Sequence, residues 1–451
     1  MSQSFFRNAS WFHKGTKEYT RGGYEKASRA FIEGDLGGDL TGRGYMITGS
    51  NSGIGYCVAL NIARSGGTVH MVCRNEQRGV DAREKIKKET GNENVFLYVC
   101  DLSRTRDVLR FCSEFIGTGT PLDVLVNNAG CCVNTRTMTD ENFEINFATN
   151  TLAVYIMTTL FVPILERSID PRVVTVCSAG MYTMKMIPND LNSTKGKFDS
   201  VFVYAQNKRQ QLVIMRYWSQ MYESIHFSTM HPGWADTTIV QKGLPTFHWW
   251  MRNKLRTPQQ GADTAHWLCV TPRIREFPSG RFFQDRVVIP EHLSTGTHST
   301  IEEEDMLMRQ LQEILQRFIP TQKGATPLLS GTGVVNPAPV EAPHPDKATP
   351  EEAPPPDKAT PEEIPPPDKA TPEETPPLDK ATPEETPPEE TPPPDKATPE
   401  EIPPPDKATP EETPPLDKAT PEEIPPPDKA TPEEIPPSAE PTPAERKDET
   451  Q

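Results

Sequence analysis

Tyr204 and Lys208 stand four residues apart in the run Tyr204-Ala205-Gln206-Asn207-Lys208, inside a stretch, 201–223, whose apolar spacing predicts a helix. Residues at i and i+4 share a helix face, so the phenol and the ammonium are expected side by side. A cation beside a phenol stabilises the phenolate, which predicts a Tyr204 pKa lowered towards neutrality. A phenol tuned in this way can give a proton to a carbonyl oxygen or take one from an alcohol. Ser178, in Cys177-Ser178-Ala179-Gly180, closes a β-rich run and could hold the same oxygen as charge develops on it. Asn150 is a polar residue in the apolar segment Phe147-Ala148-Thr149-Asn150-Thr151-Leu152, and is expected to hold a water that links Lys208 to solvent. Each residue alone has an ordinary reading: a chance spacing, a cap, a satisfied core amide. Their conjunction in this chain order is what points to acid–base chemistry on a carbonyl–alcohol pair.

A second constellation lies upstream. The β-rich run Tyr45–Thr48 leads into Thr48-Gly49-Ser50-Asn51-Ser52-Gly53-Ile54-Gly55, where an amphipathic helix begins. A Gly-rich turn at a helix N-terminus offers free backbone N–H groups and a positive dipole end to a phosphate. In such a turn Gly49 permits the tight bend, Gly53 lets the backbone approach a pyrophosphate, and Gly55 lets helix pack on strand. The next strand ends Val72-Cys73-Arg74-Asn75 with no acid there; Arg74 stands 19 residues after Gly55, where an acid suits a ribose 2′-hydroxyl and an Arg a 2′-phosphate. This favours NADP(H) over NAD(H), with Arg78 a second phosphate contact. Two further strand ends, Cys100-Asp101-Leu102 and Val126-Asn127-Asn128-Ala129-Gly130, fall where ligands bind open α/β sheets. Asp101 could accept from the adenine amino group, Asn127 tie neighbouring strand ends, and Gly130 leave room for the cofactor.

The elements that must position these residues follow from periodicity. Strands are predicted at 45–48, 68–73, 95–100, 122–126, 172–177 and 226–230, with helices at 53–65, 76–90, 104–117, 140–167 and 201–223 between them. The alternation implies an α/β domain: a doubly wound parallel sheet with helices on both faces, of Rossmann type. A helix at 258–270 follows, then one capped by Thr300 and Glu303 with Leu307, Leu311, Ile314, Leu315 and Phe318 on one face. Residues 1–40 mix Phe5, Phe6, Trp11, Phe12, Tyr19, Tyr24 and Phe31 with basic side chains. Two readings stay open for them: a helix packed on the main domain, or an interfacial helix making peripheral membrane contact through residues 1–32.

Charge separates the rest. The 451 residues carry 47 Lys and Arg against 63 Asp and Glu, a net charge of −16. From Glu341 onward stand 31 acidic and 10 basic residues and 35 of the 49 prolines, so the first 340 residues are net +5 and hold every Phe, Trp and Tyr. The heptamer DKATPEE occurs eight times, beginning at Asp346 and ending with the copy at Asp428. Several prolines per period exclude a coiled coil and predict an extended, disordered Pro/Glu-rich tail over 321–451. The domain limits expected are therefore 1–40, 41–320 and 321–451. A near-neutral globular part argues against a nucleic-acid surface, scattered cysteines against a metal site, and the N-terminus against a secretory signal. An intracellular protein is expected, cytoplasmic or peripherally membrane-associated. Thr-Pro steps and P-x-x-P-like runs make tail-binding proteins a rival reading, in which a cofactor-binding adaptor acts through the acidic tail.

With these residues assembled, residues 41–285 resemble the classical short-chain dehydrogenase/reductase family, through the loop at 48–55, Asp101, Asn127–Gly130, Asn150, Ser178, Tyr204, Lys208 and His231-Pro232-Gly233-Trp234-Ala235-Asp236-Thr237. The Cys-Arg-Asn strand end, the Ser-to-Tyr spacing and Ser279–Phe283 look like its retinol-dehydrogenase-like branch. The resemblance implies an oxidoreductase moving hydride between nicotinamide and a carbonyl or alcohol substrate. It implies cofactor contacts from Gly49, Ser50, Asn51, Ser52, Gly53, Ile54, Gly55, Leu102, Asn128, Ala129, Gly130, Pro232, Gly233 and Thr237. It also implies that Lys208 binds ribose, and that the aromatic segment 247–251 falls where the family places a substrate lid. Ser52 stands where many NADP-using relatives have a basic residue, and the repeats have no counterpart.

Overall fold

The computed structural model describes residues 2–319; the repeats and the expectation of a disordered tail lie outside the described residues. The N-terminus forms α1 (Ser2–Glu18) and α2 (Arg21–Ala27). The alternation then runs β1 (Gly44–Thr48), α3 (Gly53–Arg64), β2 (Thr68–Cys73), α4 (Glu76–Thr90), β3 (Val95–Val99), α5 (Thr105–Gly117) and β4 (Val124–Asn127). Next come α6 (Ile145–Phe147), a π-helical turn Ala148–Leu152, α7 (Ala153–Leu165), β5 (Arg172–Val176), α8 (Ser200–Met221) and β6 (His226–Met230). The last elements are α9 (Thr238–Gly243), α10 (Pro245–Met251), α11 (Pro258–Val270), β7 (Arg281–Gln284), β8 (Val287–Val288) and α12 (Ile301–Phe318).

The sheet order is β3-β2-β1-β4-β5-β6-β7-β8, parallel except for β8. It reverses direction between β1 and β4, which opens a crevice at the carboxyl ends of those strands. Every residue of β1, β4, β5 and β6 is buried, as a sheet covered on both faces demands. Alternate residues feed two cores. Met46, Leu125, Val173 and Phe227 join residues of α5, α7, α8 and α12, while Tyr45, Ile47, Val124, Val126 and Val174 join residues of α3, α4 and α11. Each such aliphatic side chain contributes about 1.5–3 kcal/mol on burial.

Predicted strands and helices fall within a residue or two of those observed, with one larger difference. The helix expected at 140–167 begins only at Ile145, because the buried Glu144 side chain accepts the Phe147 N–H at 3.0 Å and caps it there. It then passes through the π-helical turn that contains Asn150. Ile145–Leu165 is long and apolar enough by composition to cross a membrane, yet 83% of its most apolar window is buried inside this fold. The strands β7 and β8 were not predicted. They are joined by Asp285-Arg286, both at positive φ (50° and 62°), the two-residue turn that suits a hairpin's twist.

The N-terminal forty residues pack on the sheet domain. The Trp11 and Phe12 rings lie 5.9 and 5.6 Å from that of Trp234, and Phe12 stacks on Trp250. Tyr19 is fully buried. The apolar side of α1 that carries Trp11 and Phe12 is thus spent on the domain, the first of the two readings.

Candidate active site

The chain leaves β1 through Gly49 (φ 66°) and Gly53 (φ 58°), a backbone region that glycine enters without steric cost. A Cβ on Gly49 would stand 3.0 Å from Ala129 Cα, and one on Gly55 2.4 Å from Asn128 Nδ2, so the loop lies directly against the end of β4. The Ser52 hydroxyl caps nothing at the start of α3. The first N–H groups of that helix therefore remain available to an anion. Thr237 reaches this loop from the far side: its Cγ2 lies 3.6 Å from the place of a Gly53 Cβ. Two loop side chains face the other way. Ser50 is buried and donates to Ile47 O at 3.0 Å, and Ile54 packs in the core, leaving only their backbone to face a ligand.

The strand ends are laced by side chains. Thr48 Oγ1 accepts from Asn128 N at 3.0 Å and Ala129 N at 2.9 Å, while Asn128 Nδ2 donates to Thr48 O at 2.7 Å. Asn127 joins β4 to β5 and to α7, through Thr175 and Thr158. Gly130 leaves the floor open: a Cβ there would stand 3.2 Å from Asn150 Oδ1 and 3.7 Å from Lys208 Nζ. Asp101 Oδ1 is engaged by the Ser103 backbone and hydroxyl at 3.0 and 2.8 Å, and its Oδ2 has no hydrogen bond among the described residues. Leu102 is half-buried against the core. Arg74 and Arg78 are exposed at the end of β2 and the start of α4. Burial pushes the Cys131 thiol up to about 12, while the Thr149 side chain and, least, the Arg74 charge pull it down.

The Ser178 hydroxyl accepts from Gly180 N at 3.1 Å and lies close enough to Tyr204 to favour its phenolate. Burial outweighs it. Together with the nearby Cys132, Cys177 and Cys131 thiols, burial holds the Tyr204 pKa above the usual phenol range, which corrects the lowered value predicted from its spacing to Lys208. The reason is where Lys208 goes. Its Nζ lies over the Tyr204 ring, 5.5 Å from the centroid, and donates to Val176 O at 2.8 Å and Gln211 Oε1 at 3.1 Å. Burial pushes Lys208 itself down to about 8. The Asn150 side chain is engaged by the neighbouring loop. Its Oδ1 accepts from Cys131 N at 2.8 Å and its Nδ2 donates to Cys131 O at 2.9 Å, so the amide secures the 131 loop.

Three residues escaped the sequence reading. Gln211 joins Lys208 to the backbone of Asn150, through Nε2 to Asn150 O at 2.5 Å. Its signal was a second buried polar residue three positions beyond Lys208. His231 accepts the Ala179 N–H at its Nδ1, 3.2 Å away, next to Ser178, and burial keeps it neutral. Arg256 fills the space a Gly233 side chain would occupy, 2.2 Å from the Cβ position. Gly233 (φ 74°) is therefore required by a protein contact on its Cα side. Pro232 O faces the same guanidinium at 3.5 Å.

A family model described as short chain dehydrogenase matches residues 45–189. The human protein Dehydrogenase/reductase SDR family member 12 is 48% identical over 316 residues, spanning 70% of this chain and 99% of that protein. The chain belongs to the short-chain dehydrogenase/reductase family. It is thus a member of a family of oxidoreductases whose fold binds a nicotinamide cofactor. Human Retinol dehydrogenase 11, 28% identical over 250 residues, spans 54% of this short-chain dehydrogenase/reductase and 78% of its own length. Among solved structures, the short chain dehydrogenase from Shigella flexneri aligns with a TM-score of 0.46 at 21% identity, covering 58% of this chain and 96% of that one. The oxidoreductase yciK from E. coli aligns at 0.45 and 22%, covering 57% and 99%.

Proposed function

We propose that the protein is an NADP(H)-dependent oxidoreductase acting on a carbonyl or alcohol of a small apolar substrate. The observation that carries this reading is Tyr204 near Ser178 with Lys208 Nζ over its ring, the same Nζ 3.7 Å from the Gly130 Cβ position, at the strand ends where the uncapped start of α3 also lies. The residues present fit the cofactor. Gly49, Asn51, Ser52 and Gly53 would cradle the pyrophosphate on free N–H groups, and Arg74 would pair with a 2′-phosphate. Asp101 Oδ2 remains for the adenine amino group. Asn128, Ala129 and Gly130 would line the floor, and Thr237 would close the loop from above. A bound NADP(H) supplies or accepts the hydride.

In the reducing direction Tyr204 gives its proton to the carbonyl oxygen, and the Ser178 hydroxyl donates a hydrogen bond to the same atom. A phenol with a raised pKa is protonated at neutral pH, the form this step requires. Lys208 would bind ribose, and with its pKa near 8 it exchanges protons close to neutrality. Gln211 and the Asn150 carbonyl extend that buried line. Exposed Trp249 and Trp250 on α10, just after Thr237, offer apolar surface that would suit an apolar substrate.

The test is NADPH oxidation by the full chain against a panel of aldehydes and ketones. Turnover on at least one class is expected, with a loss of about 10²–10⁴-fold in Tyr204→Phe at unchanged NADPH affinity. No turnover with any of the panel, or full activity in Tyr204→Phe, would sink the reading.

A further inference from the structure

Arg256 is among the largest fully buried side chains of the described residues, and it lies outside the reacting groups. Its guanidinium makes five hydrogen bonds, matching the five N–H donors it carries. Two go to the Asp285 carboxylate in fork geometry at 2.6 and 2.9 Å, to a partner equally removed from water. The other three go to carbonyls: Glu18 O at 2.6 Å, Thr20 O at 3.3 Å and Pro232 O at 3.5 Å. One planar cation thus joins the end of α1, the loop after β6 and the β7–β8 turn.

The backbone of Arg256 holds the same loop. It pairs as a parallel bridge with Ala235: Arg256 N donates to Trp234 O at 2.8 Å, and Asp236 N to Arg256 O at 2.9 Å. From the other side Trp234 N donates to Tyr19 O at 2.7 Å. The Pro232–Asp236 backbone is therefore held between the N-terminal segment and Arg256. One residue beyond it stands Thr237, against Gly53; two further on, Ile239 Cδ1 lies 3.6 Å from the Gly130 Cβ position. This loop contacts the crevice at its Gly53 and Gly130 side, whereas Arg74 and Asp101 border the other end.

We infer that Arg256, strapped under the N-terminal backbone at Glu18 and Thr20, is a positioning residue for the Pro232–Thr237 loop, and through it for the nicotinamide end of the dinucleotide rather than its adenosine end. The inference rests on the proposed NADP(H) reading. It makes residues 15–21 part of the cofactor site, although none of them touches the crevice. Lys cannot replace the fork: it is a point charge with three donors and no plane.

The experiment compares two ligands on the full chain: NADPH, which spans the whole site, and 2′,5′-ADP, which fills the adenosine half alone. Arg256→Lys is expected to weaken NADPH about tenfold or more while 2′,5′-ADP stays within about twofold. Thermal melts establish that each variant is folded. Asp285→Asn, which keeps the shape and removes the charge, provides the same measurement should the lysine variant fail to fold. Gly15→Ala approaches from the strap: its methyl would stand 2.3 Å from the Trp234 ring, and the same selective loss is expected. Equal losses for both ligands would reduce Arg256 to a structural residue and overturn the inference, as would unchanged NADPH affinity. Failure of the unmodified chain to bind either ligand would instead overturn the NADP(H) reading, and this inference with it.

Discussion

Lys208 shows how burial and pairing compete at one residue. The i, i+4 spacing to Tyr204 places the two on one helix face, but a lysine carried into a dry interior seeks the nearest carbonyl, here Val176 O, and loses part of its basicity. Its pKa of about 8 in the fold lies below the ordinary lysine value of 10.5. Between those two pH values the unfolded chain binds a proton that the folded chain does not, so stability rises with pH across that window. Below pH 8 the full cost of the buried charge is felt, about 3 kcal/mol from the size of the shift. Lys208→Met is therefore expected to melt higher relative to the unmodified protein at pH 7 than at pH 10, the gap narrowing between pH 8 and 10. Melts at pH 7, 8.5 and 10 check this, and a gap that widens with pH would contradict it. Arg74 offers the complementary case, a charge without a hydrogen bond or ion pair among the described residues. Arg74→Ala is expected to weaken NADPH by roughly 10–100-fold, the worth of charge-assisted bonds of about 1.5–3 kcal/mol, with NADH nearly unaffected. Paired titrations of the two dinucleotides decide it; equal losses would assign Arg74 a structural part.

At the scale of elements, the crevice depends on how closely α3 and β4 approach β1. Gly55 admits Asn128 Nδ2, which in turn reaches Thr48 O, so one missing side chain lets two strand ends be laced. Gly55→Ala forces a methyl to within 2.4 Å of that nitrogen and 2.7 Å of Gly49 O. An overpacked contact of this kind costs roughly 1–3 kcal/mol. We expect a lower melting temperature and weaker NADPH binding together, and a double variant with Asn128→Ala that loses less than the sum of the singles, because the contact with Asn128 is then relieved and only that with Gly49 O remains. Strict additivity would show that Gly55 acts through some other contact. The same elements show what a sequence reveals. Strands such as Thr68–Cys73 and the cap at Thr300 and Glu303 were legible because period and capping are local signals. Tyr204, Ser178 and the glycines of the loop were legible because their chemistry needs fixed spacings. Arg256 with Asp285, and Gln211 with Asn150, were not, since 29 and 61 residues separate the partners and either residue alone reads as ordinary polar surface. The Tyr204 pKa was misjudged for the same reason: burial is a property of the assembled core, not of a helix face.

For the whole molecule, charge is divided along the chain in a way that the net of −16 conceals. The crevice is bordered by Arg74 and floored by Lys208, cations suited to an anionic dinucleotide, and the first 340 residues are net +5. The repeats carry the opposite sign: from Glu341 onward the sequence is net −21. If that acidity acted on the crevice only through solvent, it would be screened beyond about 8 Å at physiological salt. Deleting residues 341–451 is then expected to leave NADPH affinity and turnover unchanged within about twofold at 0.15 M salt, while the protein at pH 7 changes from binding an anion exchanger to binding a cation exchanger. Repeating the titration at about 0.01 M salt, where the screening length grows to about 30 Å, separates two cases. Stronger NADPH binding on deletion at low salt alone would mean that the acidic repeats repel the dinucleotide at long range. A change of more than about tenfold that persists at 0.15 M would mean instead that repeat residues contact the site directly.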